Sequence, residues 1–244
     1  MPVLEVKGVS KSFDGEEIIR NISLELKEGE IVSLLGVSGG GKTTLFNIIA
    51  GLSTPDEGNI YLEGQEITGK PGNISYMLQK DLLLPYRTLV DNVALPLTIR
   101  GMKKSEAREK AAGYFEEFGL EGAQKKYPAE ISGGMKQRAA LLRTYLFSEK
   151  VALLDEPFSA LDTLTKASVH RWYLDVMKKI KLSTFFITHD IDEAILLSDR
   201  IYLLSGTPGK ITDEIVITHP NTETEDFNLT PEFLEYKKRI IGNL

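Results

Sequence analysis

The chain has 244 residues, 42% hydrophobic and 26% charged, with 29 basic against 35 acidic side chains and a formal net charge of −6. That is chain enough for one domain, or one with an inserted subdomain, and for a sizeable core. The acidic balance argues against nucleic acid as a partner, and the lack of any cysteine excludes disulfides, thiol nucleophiles and cysteine metal sites and fits a reducing compartment. The opening MPVLEVKGVSKSF has no apolar h-region, so no signal peptide is expected. No run approaches the ~18 apolar residues of a membrane helix, so any membrane role must come through a partner.

VLEVKGVS and IIRNISLEL alternate as strands do, with turns at FDGEE and KEGE. IVSLLG (31–36) reads as an apolar run, as expected for a strand buried on both faces. The glycine loop GVSGGGKTT follows, and the period becomes helical through TTLFNIIAGL. PDEG is a turn; NIYLEG and ISYMLQ are short strands. Strand signals then stop from Lys80 to about Tyr127, where DNVALPLTIRG and KKSEAREKAAGYFEEFG read as helices. Beyond them come an amphipathic helix over 133–147, the strand VALLDE, a helix over 163–180, the strand TFFITH, the helix DEAILLSD and the strand IYLLS. Strand–helix alternation predicts a parallel sheet covered on both faces. The tail holds a strand-like ITDEIVI, a polar loop THPNTETEDFN that is expected to be mobile, and a terminal helix PEFLEYKKRI. The expected organisation is a single domain over 1–244. Its core takes 1–79 and 136–210, a helical insertion takes 80–135, and a C-terminal extension takes 211–244.

GVSGGGKTT (36–44) fits G-x-x-x-x-G-K-[ST] between a buried strand and a helix, the context that a phosphate loop needs. Gly36, Ser38, Gly39, Gly40 and Gly41 let consecutive N–H groups turn onto a phosphate, helped by the helix N-terminus. Lys42 would reach the β- and γ-phosphates, and the Thr43 hydroxyl would ligate Mg²⁺, with Thr44 beside it. VALLDEP (151–157) supplies the metal side. There Asp155 would orient the metal's water, and Glu156, pointing the other way along the strand, would polarise the attacking water. Of the three histidines, only His189 ends a buried strand at that sheet edge, where it could bond the γ-phosphate. His170 and His219 are expected to be solvated. Gln79, at the start of the insertion, could touch Mg²⁺ or water, or be a plain polar loop residue. ISGGMKQR (131–138) reads as a second anion-holding loop at a helix start, which raises the question of why one chain carries two.

In this order, GVSGGGKTT, Gln79, ISGGMKQR, VALLDEP, SALD (159–162) and His189 resemble the ATP-binding subunits of ABC transporters, from Phe13 to about Gly209. The resemblance implies an α/β P-loop NTPase (RecA-like) fold: a mostly parallel core sheet with an N-terminal antiparallel β subdomain and an inserted helical subdomain. It implies an ATPase whose cofactors are ATP and Mg²⁺, with Lys42, Gln79, Glu156 and His189 as catalytic groups and Thr43, Gln79 and Asp155 at the metal. Two subunits would meet head to tail, so that Ser132, Gly133 and Gly134 of one cap the γ-phosphate of the other and Asp162 links the sites. Each site is then built from halves of two chains, which is why each chain carries two loops. Phe13 would stack on adenine, or else be a core phenylalanine. Met135 departs from the family's frequent Gln and loses any side-chain hydrogen bond from that position; Gly40, where Ser is frequent, should be benign.

DLLLPYRTLVDNVALPL, LDEPFSALDTLT and LLSGTPGKI resemble importer subunits of the nitrate, sulfonate and taurine type, a group that includes importers of thiamine-precursor pyrimidines. The long regulatory domain of sugar-type importers is not expected. Implied partners are a second copy, a membrane permease and, indirectly, an extracytoplasmic solute-binding protein, at the cytoplasmic face of the membrane. Leu82–Leu84, Tyr86 and Leu89 would either receive a permease helix or pack the insertion. Alternatives are a lipid- or lipoprotein-releasing or export system and, against the short insertion and single set of motifs, a non-transport ABC ATPase.

Overall fold

In the computed structural model, which describes residues 2–148, 150–159, 161–219 and 227–244, the alternating strands at the start of the chain form one sheet and the mostly apolar strands form the centre of another. Positions 220–226 of the polar loop THPNTETEDFN and Ala160 of SALD lie outside the described residues. β1 (Pro2–Phe13), β2 (Glu16–Lys27), β4 (Glu57–Leu62) and β5 (Gln65–Glu66) form an antiparallel sheet in the order β2–β1–β4–β5. Leu4, Val6 and Val9 of β1 are buried while Lys7 is exposed, as one covered face requires. In the second sheet, β3 (Ile31–Gly36), β6 (Ser75–Met77), β7 (Val151–Asp155), β8 (Ser183–Thr188) and β9 (Arg200–Ser205) run parallel. β10 (Lys210–Val216) returns antiparallel on β9, giving the order β10–β9–β3–β8–β7–β6.

Every residue of β3, β7 and β8 is buried, and their side chains alternate between separate cores. Val32, Leu34, Val151, Leu153, Phe185 and Ile187 face the first core, between the antiparallel sheet and α1 (Lys42–Ile49). Ala152, Leu154 and Phe186 face the second, built with α5 (Gly133–Phe147), α6 (Thr163–Ile180) and the insertion. A third packs Leu35, Ile201 and Leu203 against α7 (Ile191–Leu197) and α8 (Pro231–Asn243). Two-sided burial is what makes the strands mostly apolar, and their few polar residues, Ser33, Asp155, Ser183, Thr184 and Thr188, are buried with them.

α5 and α6 occupy the spans that their periodicity predicts, because Ser132 and Asp162 cap them: each side chain accepts a backbone N–H three residues on, at 3.3 and 3.1 Å. The insertion is more broken than expected. DNVALPLTIRG divides into α2 (Leu89–Val93) and α3 (Leu95–Ile99), with Pro96 in the first turn of α3. α4 (Lys104–Gly113) ends at its glycine, and turns carry the buried Phe115 and Phe118 onward. The expectation of solvated histidines fails. The His170 side chain is 12% exposed, its Nε2 lies 3.6 Å from Glu193 and its ring meets Phe158 edge-on, while His219 Nε2 is 2.9 Å from the Ser198 carbonyl.

Arg200 ties the two sheets together. Its guanidinium is buried and forks onto Glu30 at 2.9 and 2.7 Å, reaches Glu214 of β10 at 2.9 Å, and donates to the Glu25 carbonyl of β2 at 3.2 Å. Removing one partner of such a group leaves buried charge unpaired. Arg200→Met should therefore cost about 2–4 kcal/mol, a fall of roughly 5–15 °C in the melting temperature of a chain this long. Thermal unfolding followed by circular dichroism checks this, and a loss under ~1 kcal/mol would mean that water replaces the arginine at no more than surface-pair cost.

Candidate functional site

The carboxyl ends of β3, β8, β7 and β6 lie side by side, and each delivers one part of the site. From β3 the chain turns through 36–41 into α1, with Gly41 in the left-handed region at φ +91°. A Cβ there would lie 2.4 Å from Ile19 Cγ2, so only glycine fits. Behind the loop, the β9–β10 turn brings Gly209 so close that its Cβ would meet the Gly40 carbonyl at 2.4 Å. That turn is fastened to β2 by Arg20 N–H to Gly209 O at 3.0 Å and Gly209 N–H to Ile18 O at 2.8 Å. Gly41 provides α1 with no side-chain cap and the first turn holds no acid. Its N–H groups and positive dipole end are thus left for an anion. Ser38 and Gly39 are exposed and Thr44 is half-buried beside them.

Lys42 is 7% exposed and curls onto the loop, donating to the carbonyls of Gly36 and Val37 at 2.8 Å each. Burial pushes its ammonium pKa down, opposed by Glu156 and Asp155. The Thr43 hydroxyl lies 3.4 Å from Asp155 Oδ2, which also takes the Tyr76 hydroxyl at 3.4 Å. Burial, and then the neighbouring Glu156 charge, push the Asp155 carboxyl up, more than Thr43, Tyr76 and Lys42 pull it down. A buried, under-compensated carboxylate beside a hydroxyl is a set of hard oxygen donors, and it fits Mg²⁺, which takes one or two protein ligands and keeps its waters.

Glu156 diverges from Asp155, but not by strand alternation as expected. β7 ends at Asp155, and Glu156 adopts a left-handed backbone at φ +46° while its N–H donates to Ile187 O at 3.1 Å. That turn sets its carboxylate between Gln79 Nε2 at 3.0 Å and His189 Nδ1 at 3.2 Å. Gln79 thus bonds Glu156 rather than the Thr43–Asp155 pair. Lys42, Thr43, Gln79, Asp155, Glu156 and His189 are brought to one sheet edge. Tyr76 was not singled out by sequence reasoning; its one signal is a hydroxyl within a short buried strand.

The second loop rests on other helices. Ser132 and Gly133 are exposed at the start of α5, while Gly134 is buried against Thr165 and Val169 of α6. Met135 packs against the core of the insertion. Asp162 stands at the head of α6 with its Oδ1 on the Thr165 N–H. Phe13, at the end of β1, is 48% exposed and not a core residue, with the Lys11 ammonium 5.3 Å from its ring centroid. Of the five apolar residues expected on one surface, Leu83 and Leu89 are buried in the insertion's core, whereas Leu82, Leu84 and Tyr86 are exposed. The loop presenting them is pinned from beneath. Arg143 donates to the carbonyls of Asp81 and Leu82, and the buried Asn92 amide holds Leu84, Arg87 and Thr88.

Comparison with known proteins accords with this geometry. The family model described as ABC transporter matches residues 19–159. The formylaminopyrimidine import ATP-binding protein ThiZ of Halalkalibacterium halodurans is 48% identical over 191 residues, covering 78% of this chain and 74% of that protein. The nitrate import ATP-binding protein NrtD of Synechocystis is 38% identical over 247 residues, covering 97% of this chain and 93% of that protein. Among solved structures, the dimeric post-hydrolysis state of the ATP-binding cassette MJ0796 bound to ADP and Pi superposes with a TM-score of 0.74 at 28% identity, covering 89% of this chain and all of that one. With its phosphate loop, its acidic strand end and these matches, the chain belongs to the ABC transporter family of ATP-binding proteins and is an ATPase.

Proposed function

We propose that the chain is the energy-coupling subunit of an importer, closing as a homodimer around two ATP molecules to drive uptake of a small solute through a separate membrane permease. The observation that carries this reading is the Glu156 carboxylate, held at 3.0 and 3.2 Å between Gln79 and His189 at the ends of neighbouring strands. The phosphate-loop N–H groups bind the ATP phosphates, and Lys42 exchanges the carbonyls of Gly36 and Val37 for their oxygens. Thr43 and Asp155 would hold Mg²⁺, with Gln79 a further oxygen donor close by, and the bound ion would neutralise phosphate charge. Glu156 orients the attacking water and takes its proton, while His189 bonds the γ-phosphate. Phe13 is open for adenine. Ser132, Gly133 and Gly134 of a second copy add a helix N-terminus over the γ-phosphate, with Asp162 between the sites. ATP then bridges the two chains, and hydrolysis loosens them.

Among the described residues no helix is long and apolar enough to cross a membrane; in the proposed assembly the permease supplies the passage, with this chain on its cytoplasmic side. Leu82, Leu84 and Tyr86, on their pinned loop, offer an apolar seat for a permease segment. Relatives named for the import of formylaminopyrimidine, nitrate and aliphatic sulfonates support a small polar solute, delivered outside by a binding protein.

Glu156→Gln should lower ATP turnover by ~10²–10⁴, the usual size of general-base help, with MgATP affinity retained. In MgATP it should run as a dimer on gel filtration and co-purify a polytopic permease from detergent-solubilised host membranes. Wild-type turnover in this variant would overturn the catalytic assignment, and recovery of ribosomes or nucleoid proteins alone would overturn the transport one. Asp155→Asn removes a carboxylate that folding places at a disadvantage. Because the raised carboxyl pKa penalises the folded state at neutral pH, with the penalty fading as pH falls and Asp155 protonates, the variant should melt at a higher temperature than wild type without nucleotide. It should also lose the extra stabilisation that wild type gains from MgATP. Calorimetry with and without MgATP checks both.

A further inference from the structure

The first turns of α6 carry a lysine that this chemistry leaves unused. Lys166 lies one turn past Asp162, and its backbone N–H donates to the Asp162 carbonyl at 2.8 Å. Its ammonium donates to Asp190 Oδ2 at 2.8 Å and lies 2.9 Å from Glu193 Oε2. Asp190 directly follows His189. Its N–H donates to Thr188 Oγ1 at 3.0 Å, and its other carboxylate oxygen caps α7 by accepting the Glu193 N–H at 3.1 Å. One residue thus joins the end of β8 through its N–H, and the start of α7 and the side of α6 through its carboxylate. The Glu193 side chain is 3% exposed, with His170 Nε2 at 3.6 Å. Burial opposes the Lys166 charge, yet Asp190 and Glu193 outweigh it and hold the ammonium pKa above its usual range. The amine is therefore a fixed cation. Without it, the buried Glu193 and the half-exposed Asp190 would lose the ammonium that bridges them.

We infer that Lys166 is a positioning residue that fixes His189 relative to the helix headed by Asp162, so that a second copy docking at Asp162 sets the histidine at the γ-phosphate. This rests on the proposed role of His189. The link is short and stiff: helix backbone from Asp162 to Lys166, one ion pair to Asp190, one peptide to His189. Misplacement of a reacting group by about 1 Å costs on the order of 100-fold in rate, so the loss of this brace should appear in turnover and not in nucleotide affinity.

The test is a mutant cycle on the full chain: Lys166→Ala, Lys166→Arg, His189→Ala and the Lys166→Ala/His189→Ala double variant. The readouts are single-turnover ATP hydrolysis, affinity for a fluorescent ATP analogue with Mg²⁺, and melting by circular dichroism. Expected are a roughly 10- to 100-fold lower rate for Lys166→Ala with affinity within about threefold, and near-complete rescue by Lys166→Arg. The double variant should be no slower than His189→Ala alone, because residues that act through one group are not additive. A Lys166→Ala rate within about twofold of wild type, or losses that multiply in the double variant, overturns the inference. Should Lys166→Ala lack a cooperative melt, Asp190→Asn takes its place in the same cycle, since Asn still caps α7 while the ion pair is lost. A His189→Ala variant with full activity would instead bring down the role of His189 itself, an outcome distinct from a silent Lys166.

Discussion

The site depends on a loop being forced into a tight turn between two surfaces that leave no room for side chains. Ile19 of β2 presses on Gly41 from one side, and Gly209 of the β9–β10 turn presses on Gly40 from the other. Squeezed between them, the backbone can turn its N–H groups to one point only because Gly41 and Gly209 carry no Cβ. The antiparallel sheet is thus more than an appendage to the core sheet, since it supplies one wall of the mould. Arg200 keeps that wall in place by joining β9 to the β2 end and to β10.

Charge is the second constraint. Asp155 and Glu156 stand next to each other at a partly dry edge, and Lys42 is held against carbonyls close by. The arrangement is not the most stable one for the empty protein, because a carboxylate is kept in a place that disfavours its charge. Under the proposed function it becomes favourable when phosphates and a divalent cation enter together, so cost in one state becomes affinity in the other. Glu156 carries a similar tension in its backbone, a left-handed glutamate directly after a buried strand.

Much of this was legible in the sequence, for definite reasons. Buried parallel strands leave uninterrupted apolar runs, so β3, β7 and β8 could be placed to within a residue or two. α5 and α6 could be delimited because Ser132 and Asp162 are strong caps. What the sequence hid were features set by tertiary contact. The direction of Glu156 comes from its turn and from Ile187, not from strand period. His170 and His219 are half-buried where the fold brings Glu193 and the Ser198 carbonyl beside their rings. Leu83 and Leu89 look like Leu82 and Leu84 in a linear string, and only the pinned loop decides which face inward. Tyr76 and Lys166 carry no local pattern at all.

The buttress behind the phosphate loop also redraws where the working unit ends. Every residue with an assigned chemical part, from Phe13 to His189, lies ahead of β9, so a boundary drawn by those residues alone would stop near residue 190, short of the 210 that the strand pattern predicts. Gly209 and its bonds to Ile18 and Arg20 move the boundary some twenty residues on, and Glu214 on Arg200 moves it through β10. A fragment cut at Ser205 would keep every reactive group and lose the surface against which the loop is shaped.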